Sequence, residues 1–399
     1  MTRRLYYDDA YRTEFDAVVR DVVSGQGGLS HVVLDASFFY PTSGGQMHDT
    51  GTLGDARVVD VVEGDDGTIV HVVEGPAPTA GSTVHATIDA ERRAHHRQQH
   101  SGQHVLSAVF FTRLGLQTVS SRLGESGNTL DLATDSLTDT QLDEIEDATN
   151  HFLWDARPVH VHQLSHDEVA AMGPRKISKR SGPIRVVEVE GVDRCPCGGT
   201  HVANTAEVGL VVITGTDKIK GGTRVNFWCG DRALHHRRER QRWLDAVALR
   251  LTTGAEFVDA TVEKLMRTSK ERLRRLEALA RELVAARCER WWAGTEPQDS
   301  GVRAVIRELD EDEALAVPTA VRLLTKHEGT FVGLITVDGD RGALTVARSD
   351  DLEIDASTVL REVLTPVGGR GGGRPDHARG GFPAAEVDAV RRALAAAVG

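Results

Sequence analysis

The sequence predicts an α+β protein with an N-terminal small β-barrel, an α+β domain, a helical linker and a C-terminal α/β domain. Three observations carry that expectation. Residues 1–90 hold short β-branched runs separated by turn signals, residues 231–292 form a long charged stretch with helical spacing, and residues 300–399 alternate strand and helix signals. At 399 residues the chain is long for one domain, for which roughly 100–200 residues are usual. A hydrophobic content of 40% is enough to bury cores. The expected divisions are 1–90, 91–230, 231–292 and 293–399.

The barrel is expected from Val32–Leu34, Val58–Val62, Thr68–Val73 and Thr83–Ile88, with a turn at Gly64-Asp65-Asp66-Gly67. From Asp89 to about Arg113 the chain reads as a helix, with Asp89 as N-cap and Gly115 as the stop. Strands follow at Leu130–Leu132 and Val159–His162, and between them Asp139–Phe152 reads as a helix. Residues 184–230 return to strand signals, interrupted by a loop rich in Cys and Gly. The charged stretch predicts a helical hairpin or short coiled coil turning near Gly254. Its apolar steps are Val258, Val262 and Leu265, then Leu273, Leu276, Ala280 and Leu283. In the last hundred residues, strands are expected at Val302–Ile306, Thr330–Val337 and Ala343–Ala347, and helices at Leu360–Leu364 and Ala385–Val398.

A net charge of −12 argues against nucleic acid if it is taken as uniform. It is not uniform. Residues 1–98 carry 8 basic against 15 acidic residues, while residues 232–290 carry 15 against 9, and 40 of the 47 basic residues are arginine. Arginine offers a planar fork that suits phosphate. No apolar run approaches the roughly 18 residues that a membrane span needs. The N-terminus lacks an apolar signal core, and four cysteines are too few for a disulfide scaffold, so a cytoplasmic location is expected.

The chemistry concentrates in two short segments. His100-Ser101-Gly102-Gln103-His104 places two imidazoles one helical turn apart on one face. Cys197-Gly198-Gly199-Thr200-His201 places a thiol and an imidazole around two glycines, which let a backbone fold closely around an ion. Three imidazoles and one thiolate make a borderline-soft donor set that suits zinc. A surface histidine pair beside an unrelated turn is the bland alternative, and it explains either segment alone better than both together. Cys195, two residues before Cys197, is the rival thiolate and is read as a bystander. Cys229 and Cys288 read as packing thiols. The low thiolate content leans towards a catalytic site, in which His201 acts either as fourth ligand or as a base through water.

These residues resemble the editing domain of alanyl-tRNA synthetases and of the AlaX editing proteins. Three further segments are similar to that family. They are Phe39-Tyr40-Pro41-Thr42-Ser43-Gly44-Gly45-Gln46 with Asp49-Thr50-Gly51, then Thr118-Val119-Ser120-Ser121 with Leu123-Gly124, and Gly369–Pro375 with Asp376 and Gly380-Gly381, which reads as a glycine-rich loop. The last resembles the C-terminal domain shared with DHH-type phosphoesterases. The likeness covers nearly the whole chain in the order of the long AlaX form, without the class II aminoacylation domain. Met47 departs from the pattern, which has proline there.

The resemblance implies an ATP-independent trans-editing hydrolase, an aminoacyl-tRNA deacylase that protects translation fidelity by cleaving Ser-tRNA(Ala), with Gly-tRNA(Ala) as a second substrate. It implies one Zn²⁺ per chain, held by His100, His104, Cys197 and His201, and misacylated tRNA(Ala) as partner. A homodimer through the helical linker or the C-terminal domain is also expected. Thr118, Ser120 and Ser121 are the candidates for reading the serine hydroxyl, and Gln103 is expected to point away from the metal. Gly44, Gly45 and Gln46 either approach RNA or form a tight barrel turn. The backbone of Gly371, Gly372 and Gly373, with Arg370, Arg374 and Arg379, is expected to hold phosphate. A phosphoesterase is the first rival, but no Asp-His-His motif is present. A non-catalytic tRNA-binding or zinc-structural protein is the second.

Overall fold

Six strands close into a barrel in the order Glu14–Ser24, Leu29–Leu34, Ile69–Glu74, Ala56–Glu63, Gly51–Leu53, Thr83–Ile88. The structure is a computed structural model that describes residues 2–175 and 182–398. Strand Glu14–Ser24 is the longest of the six and was not among the sequence expectations. Charged residues interrupt its apolar ones, but they alternate, so that Phe15, Ala17 and Val19 face inward. The barrel interior is filled by these residues with Val32, Leu34, Val58, Val61, Ile69 and Val73.

From the short strand Ala36–Ser37 the chain runs through Phe38, Phe39 and Tyr40 into a tight turn at Ser43-Gly44-Gly45-Gln46. Ser43 and Gln46 exchange both backbone hydrogen bonds at 3.0 Å. Gly44 and Gly45 take φ of 58° and 88°, the two left-handed positions that such a two-residue turn requires. A Cβ on Gly45 would also lie 2.8 Å from the carbonyl oxygen of Ser121. The turn is therefore pressed against strand Thr118–Leu123, and the Leu123 amide donates to the Gly45 carbonyl at 2.8 Å.

Helix Ala90–Leu114 begins at Asp89, whose side chain caps the Arg92 amide, and stops at Gly115 in the left-handed conformation. Arg93 on its first turn is fully buried and paired with the equally buried Asp49 at 2.5 Å, while Asp49 also accepts from the Tyr40 amide at 2.6 Å. This pair ties the helix to the segment behind the glycine turn. The helix packs beside Asp139–Trp154 and against a four-stranded sheet ordered Val211–Ile219, Gly222–Cys229, Asn128–Leu132, Thr118–Leu123. Gly102 allows that packing, since a Cβ there would meet the Cys229 sulfur at 2.4 Å. A three-stranded sheet, Val159–Leu164, Ile184–Val189, Asp193–Pro196, carries the cysteine loop at its end. All of this lies in one compact unit, Met1–Ala246.

The second unit, Val247–Gly399, is built on a five-stranded sheet ordered Arg303–Leu309, Thr330–Asp338, Arg341–Arg348, His377–Pro383, Arg370–Arg374. Helices Ala356–Leu364 and Val387–Val398 cover one face through Leu360, Val363, Leu364, Val390 and Leu394. Helices Val258–Ala293 and Val317–Leu324 cover part of the other through Ala280, Val284, Cys288 and Ala320. The glycine-rich segment expected as a loop is an edge strand. Gly371 and Gly373 permit it, because a Cβ at either would fall within 2.4 Å of the neighbouring strand. The apolar steps at Leu265, Leu273 and Leu276 are half-exposed rather than packed, and the buried positions of that long helix are Ala280, Val284 and Cys288. Helices Gly230–Leu251 and Val258–Ala293 flank the expected break at Gly254. The divisions expected at 90 and 230 fall inside the first unit, and that at 292 inside the second.

Candidate metal centre

His100 and His104 project from one face of the buried helix and meet Cys197 and His201 from the loop after Asp193–Pro196. The four donor atoms all lie within 4.8 Å of one another. The Cys197 sulfur sits 3.3 Å from Nε2 of both His100 and His201. Ligands at ordinary zinc bond lengths around a tetrahedron are roughly 3.3–3.7 Å apart, so the cluster needs little adjustment to close on an ion. Gly199 makes the approach feasible, since a Cβ there would overlap the His100 ring at 2.1 Å. Here glycine supplies room rather than an unusual backbone angle.

Every imidazole is oriented through its other nitrogen. His100 Nδ1 donates to Gln46 Oε1 at 2.8 Å, His104 Nδ1 to Asp193 Oδ2 at 3.1 Å, and His201 Nδ1 to Ser101 Oγ at 3.2 Å. These bonds select the tautomer that leaves Nε2 free for a metal. The orienting groups are held in turn. Gln46 Oε1 accepts from the Thr200 amide at 3.1 Å, the Ser101 hydroxyl accepts from the Val202 amide at 3.0 Å, and Asp193 is gripped by Arg175 at 2.9 and 3.1 Å. Arg175 and Asp193 are ligand-supporting residues that the sequence reading missed. Charge alone gave no signal, because both lie among many other arginines and carboxylates.

The electrostatics suit a metal thiolate. Burial would raise the Cys197 thiol, but the imidazoles of His100, His201 and His104 outweigh it and hold the thiol well below its ordinary value. Burial depresses His201 to about 3. His104 goes the other way, to about 10, because Cys197 and Asp193 overcome the burial that would lower it. Metal binding at these residues must therefore displace a proton. Cys195 is buried and its thiol is raised by burial, and it groups with His104 and Asp193 rather than with the other three donors.

His100 and Cys197 open onto a cleft of about 310 Å³, which Ser43 and Gly44 of the glycine turn also line. Gln46 faces the four-donor cluster and is fully buried. The expected hydroxyl readers stand elsewhere. Thr118 is buried and donates to Ser107 Oγ at 2.9 Å, Ser120 donates to Asp131 Oδ2 at 2.6 Å, and Ser121 lies behind Gly45; none of the three lines the cleft. Gln103 points away from the donors and bonds Ser107 Oγ at 2.7 Å. In the second unit, strand pairing places Arg370, Arg374 and Arg379 on one face of the sheet, all exposed, with Gly372 opposite Arg379. Among the described residues no helix is long and apolar enough to cross a membrane. Nothing in the structure supports the expected homodimer.

Comparison with known proteins places these features. The second additional domain of threonyl and alanyl tRNA synthetases matches residues 184–225, which hold the cysteine loop and its flanking strands. The DHHA1 domain matches residues 301–399, and the class II (A) tRNA synthetase model matches residues 7–92, the barrel. The alanine–tRNA ligase of Natronomonas pharaonis is 32% identical over 411 residues, covering 99% of this chain and 43% of the ligase. The chain thus spans less than half the length of that relative. The alanyl-tRNA editing protein Aarsd1 of Danio rerio is 34% identical over 296 residues, covering 69% of this chain and 70% of that protein. Its counterpart in Mus musculus is 36% identical, covering 65% and 62%. With the four-donor cluster, the glycine turn and the C-terminal sheet all inside these matches, the chain belongs to the family of alanyl-tRNA editing proteins.

Proposed function

We propose that this chain is a hydrolase that deacylates misacylated tRNA(Ala), with Ser-tRNA(Ala) as its main substrate and Gly-tRNA(Ala) as a second. The observation that carries the reading is the cluster of His100, His104, Cys197 and His201, beside an open cleft, in a chain of the alanyl-tRNA editing family. One Zn²⁺ per chain is the proposed ion. Three oriented imidazoles and a depressed thiol fit its preference for tetrahedral nitrogen and sulfur donors. The chemistry such an ion supplies when bound is polarisation of a carbonyl and acidification of water.

The protein's own part is placement. Gln46, Asp193 and Ser101 hold the imidazoles, and the cleft admits the ester on the side where His100 and Cys197 are reachable. The other two donors, His104 and His201, are not among the residues that line the cleft. Serine is a sensible target on general grounds, because a pocket built for alanine cannot strongly reject a molecule that only adds a hydroxyl. The exposed face carrying Arg370, Arg374 and Arg379, with the Gly371–Gly373 backbone between, is proposed to contact tRNA phosphates. A cytoplasmic location follows from that substrate, and the barrel, the metal-bearing region, the helices and the C-terminal sheet are proposed as four functional segments.

The test is deacylation by purified, zinc-loaded protein. Ser-tRNA(Ala) should be cleaved and Ala-tRNA(Ala) spared, and Cys197→Ala should lose both activity and bound zinc. Survival of every misacylated alanine-tRNA ester would refute the reading. Loss of zinc in Cys195→Ala but not in Cys197→Ala would reassign the thiolate ligand.

A further inference from the structure

The cleft beside His100 and Cys197 has an aromatic wall that the metal chemistry does not use. Tyr6, Tyr7 and Tyr40 line it together with Arg4 and Arg185. Tyr6 and Tyr40 are buried and hold each other edge to face, with ring centres 5.2 Å apart. Tyr6 meets Tyr7 in the same way at 4.9 Å. Tyr7 is the half-buried member of the three, so its ring is the one with surface left to offer. Its hydroxyl accepts from Arg4 Nη1 at 3.3 Å, and the Arg185 guanidinium lies 5.2 Å from its ring centre.

The two arginines differ. Arg4 is paired with Glu63 at 2.5 Å. Arg185 is buried, has no carboxylate partner among the described residues, and leaves its Nε without a hydrogen bond. Its Nη1 donates to the carbonyls of Cys197 at 2.8 Å and Gly199 at 3.0 Å, which fixes the guanidinium directly behind the ligand loop. The negative group acting on it is the Cys197 thiolate of the loop it supports, and a ligand phosphate would add an anion on the side that lines the cleft.

An ester that reaches His100 and Cys197 hangs from the ribose of the terminal nucleotide of a tRNA. The sugar, base and 5′-phosphate must then lie within one nucleotide's length of the metal cluster, and the aromatic wall is what the cleft presents at that distance. Bases stack on tyrosine rings and on guanidinium planes, and phosphates pair with arginine. We infer that the Tyr7–Arg185 side of the cleft is the subsite for the terminal adenosine nucleotide, with Tyr7 stacking on the base and Arg185 facing its 5′-phosphate. This inference rests on the proposed deacylation and names the part of the substrate that the site grips.

The experiment compares the full-length zinc-loaded protein with Tyr7→Ala and Tyr7→Phe. Steady-state deacylation of Ser-tRNA(Ala) and binding of adenosine 5′-monophosphate by calorimetry are measured in parallel, with zinc content as a control. For Tyr7→Ala, KM should rise about tenfold, the scale of one base–aromatic stack removed. Its kcat and zinc content should hold, adenosine monophosphate binding should weaken by a similar factor, and Tyr7→Phe should behave like the parent. An unchanged KM and unchanged nucleotide binding in Tyr7→Ala would overturn the subsite. So would failure of phenylalanine to rescue, or loss of zinc in Tyr7→Ala, since either makes Tyr7 a support for the ligand loop. If the parent protein leaves every misacylated alanine tRNA intact, the deacylation reading fails, while the nucleotide-binding comparison still decides the subsite.

Discussion

Each imidazole of the centre is held by a different chemical group: an amide for His100, a carboxylate for His104 and a hydroxyl for His201. The Gln46 contact joins parts of the chain 54 residues apart, because Gln46 leaves the barrel at the glycine turn and ends between His100 and Thr200. Removing it should loosen the His100 ring without removing a ligand. Gln46→Leu is therefore expected to weaken zinc binding about 10–100-fold, the range found when such supporting partners are taken away. Titration against a competing chelator measures this, and an unchanged affinity would show that Gly199 packing alone suffices to hold the ring.

At the scale of elements, the barrel buries a histidine that has nothing to do with a metal. His71 is fully buried; its Nδ1 donates to the Val32 carbonyl at 3.0 Å, and its Nε2 accepts from Ser37 at 2.8 Å. Burial lowers it to about 4, against an ordinary value near 6.5. Its folded-state value is below its unfolded one, so between these limits the unfolded chain binds more protons. Its contribution is complete above about pH 6.5 and is lost as pH falls towards 4, with a total on the order of 3 kcal/mol. His71→Gln should flatten the pH dependence of urea-unfolding stability across that window, and equal slopes in variant and parent would contradict the assignment. The Arg93–Asp49 pair works between elements in a different way. Two charges removed from water by the first helical turn and the glycine segment stabilise only while both are present.

At the scale of the whole molecule, the overall charge of −12 is an average over regions of different character. The cleft walls contribute Arg4 and Arg185, and the C-terminal sheet contributes an exposed arginine face, although the chain as a whole is acidic. Nucleic acid should therefore be held at local basic sites, with affinity that falls steeply with salt. Replacing Arg370 and Arg374 together by alanine should weaken tRNA binding and reduce the slope of log affinity against log salt by about two, one for each arginine–phosphate pairing removed. A filter-binding series from low to high salt measures it, and an unaltered slope would return that face to a purely structural role.

The local features are legible in the order of the amino acids. His100 and His104 lie one helical turn apart, Cys197 and His201 flank two glycines within one short loop, and Asp89 and Gly115 bound the helix at its two ends. Spacing of that kind is read directly, because backbone geometry converts it into a shared face or a tight loop. Which distant groups complete the site depends on how the folded elements pack. Gln46 reaches His100 because the barrel turn is pressed onto strand Thr118–Leu123. Asp193 reaches His104, with Arg175 behind it, across 89 residues. Tyr7 and Arg185 meet at one cleft although they are far apart in the sequence. The same closure moved Thr118 and Ser120 onto other partners and turned the segment Arg370–Arg374 from an expected loop into an edge strand. Contacts between residues far apart in sequence leave no periodicity to read. They are settled by which surfaces pack together, and here that is the sheet-and-barrel packing around one buried helix.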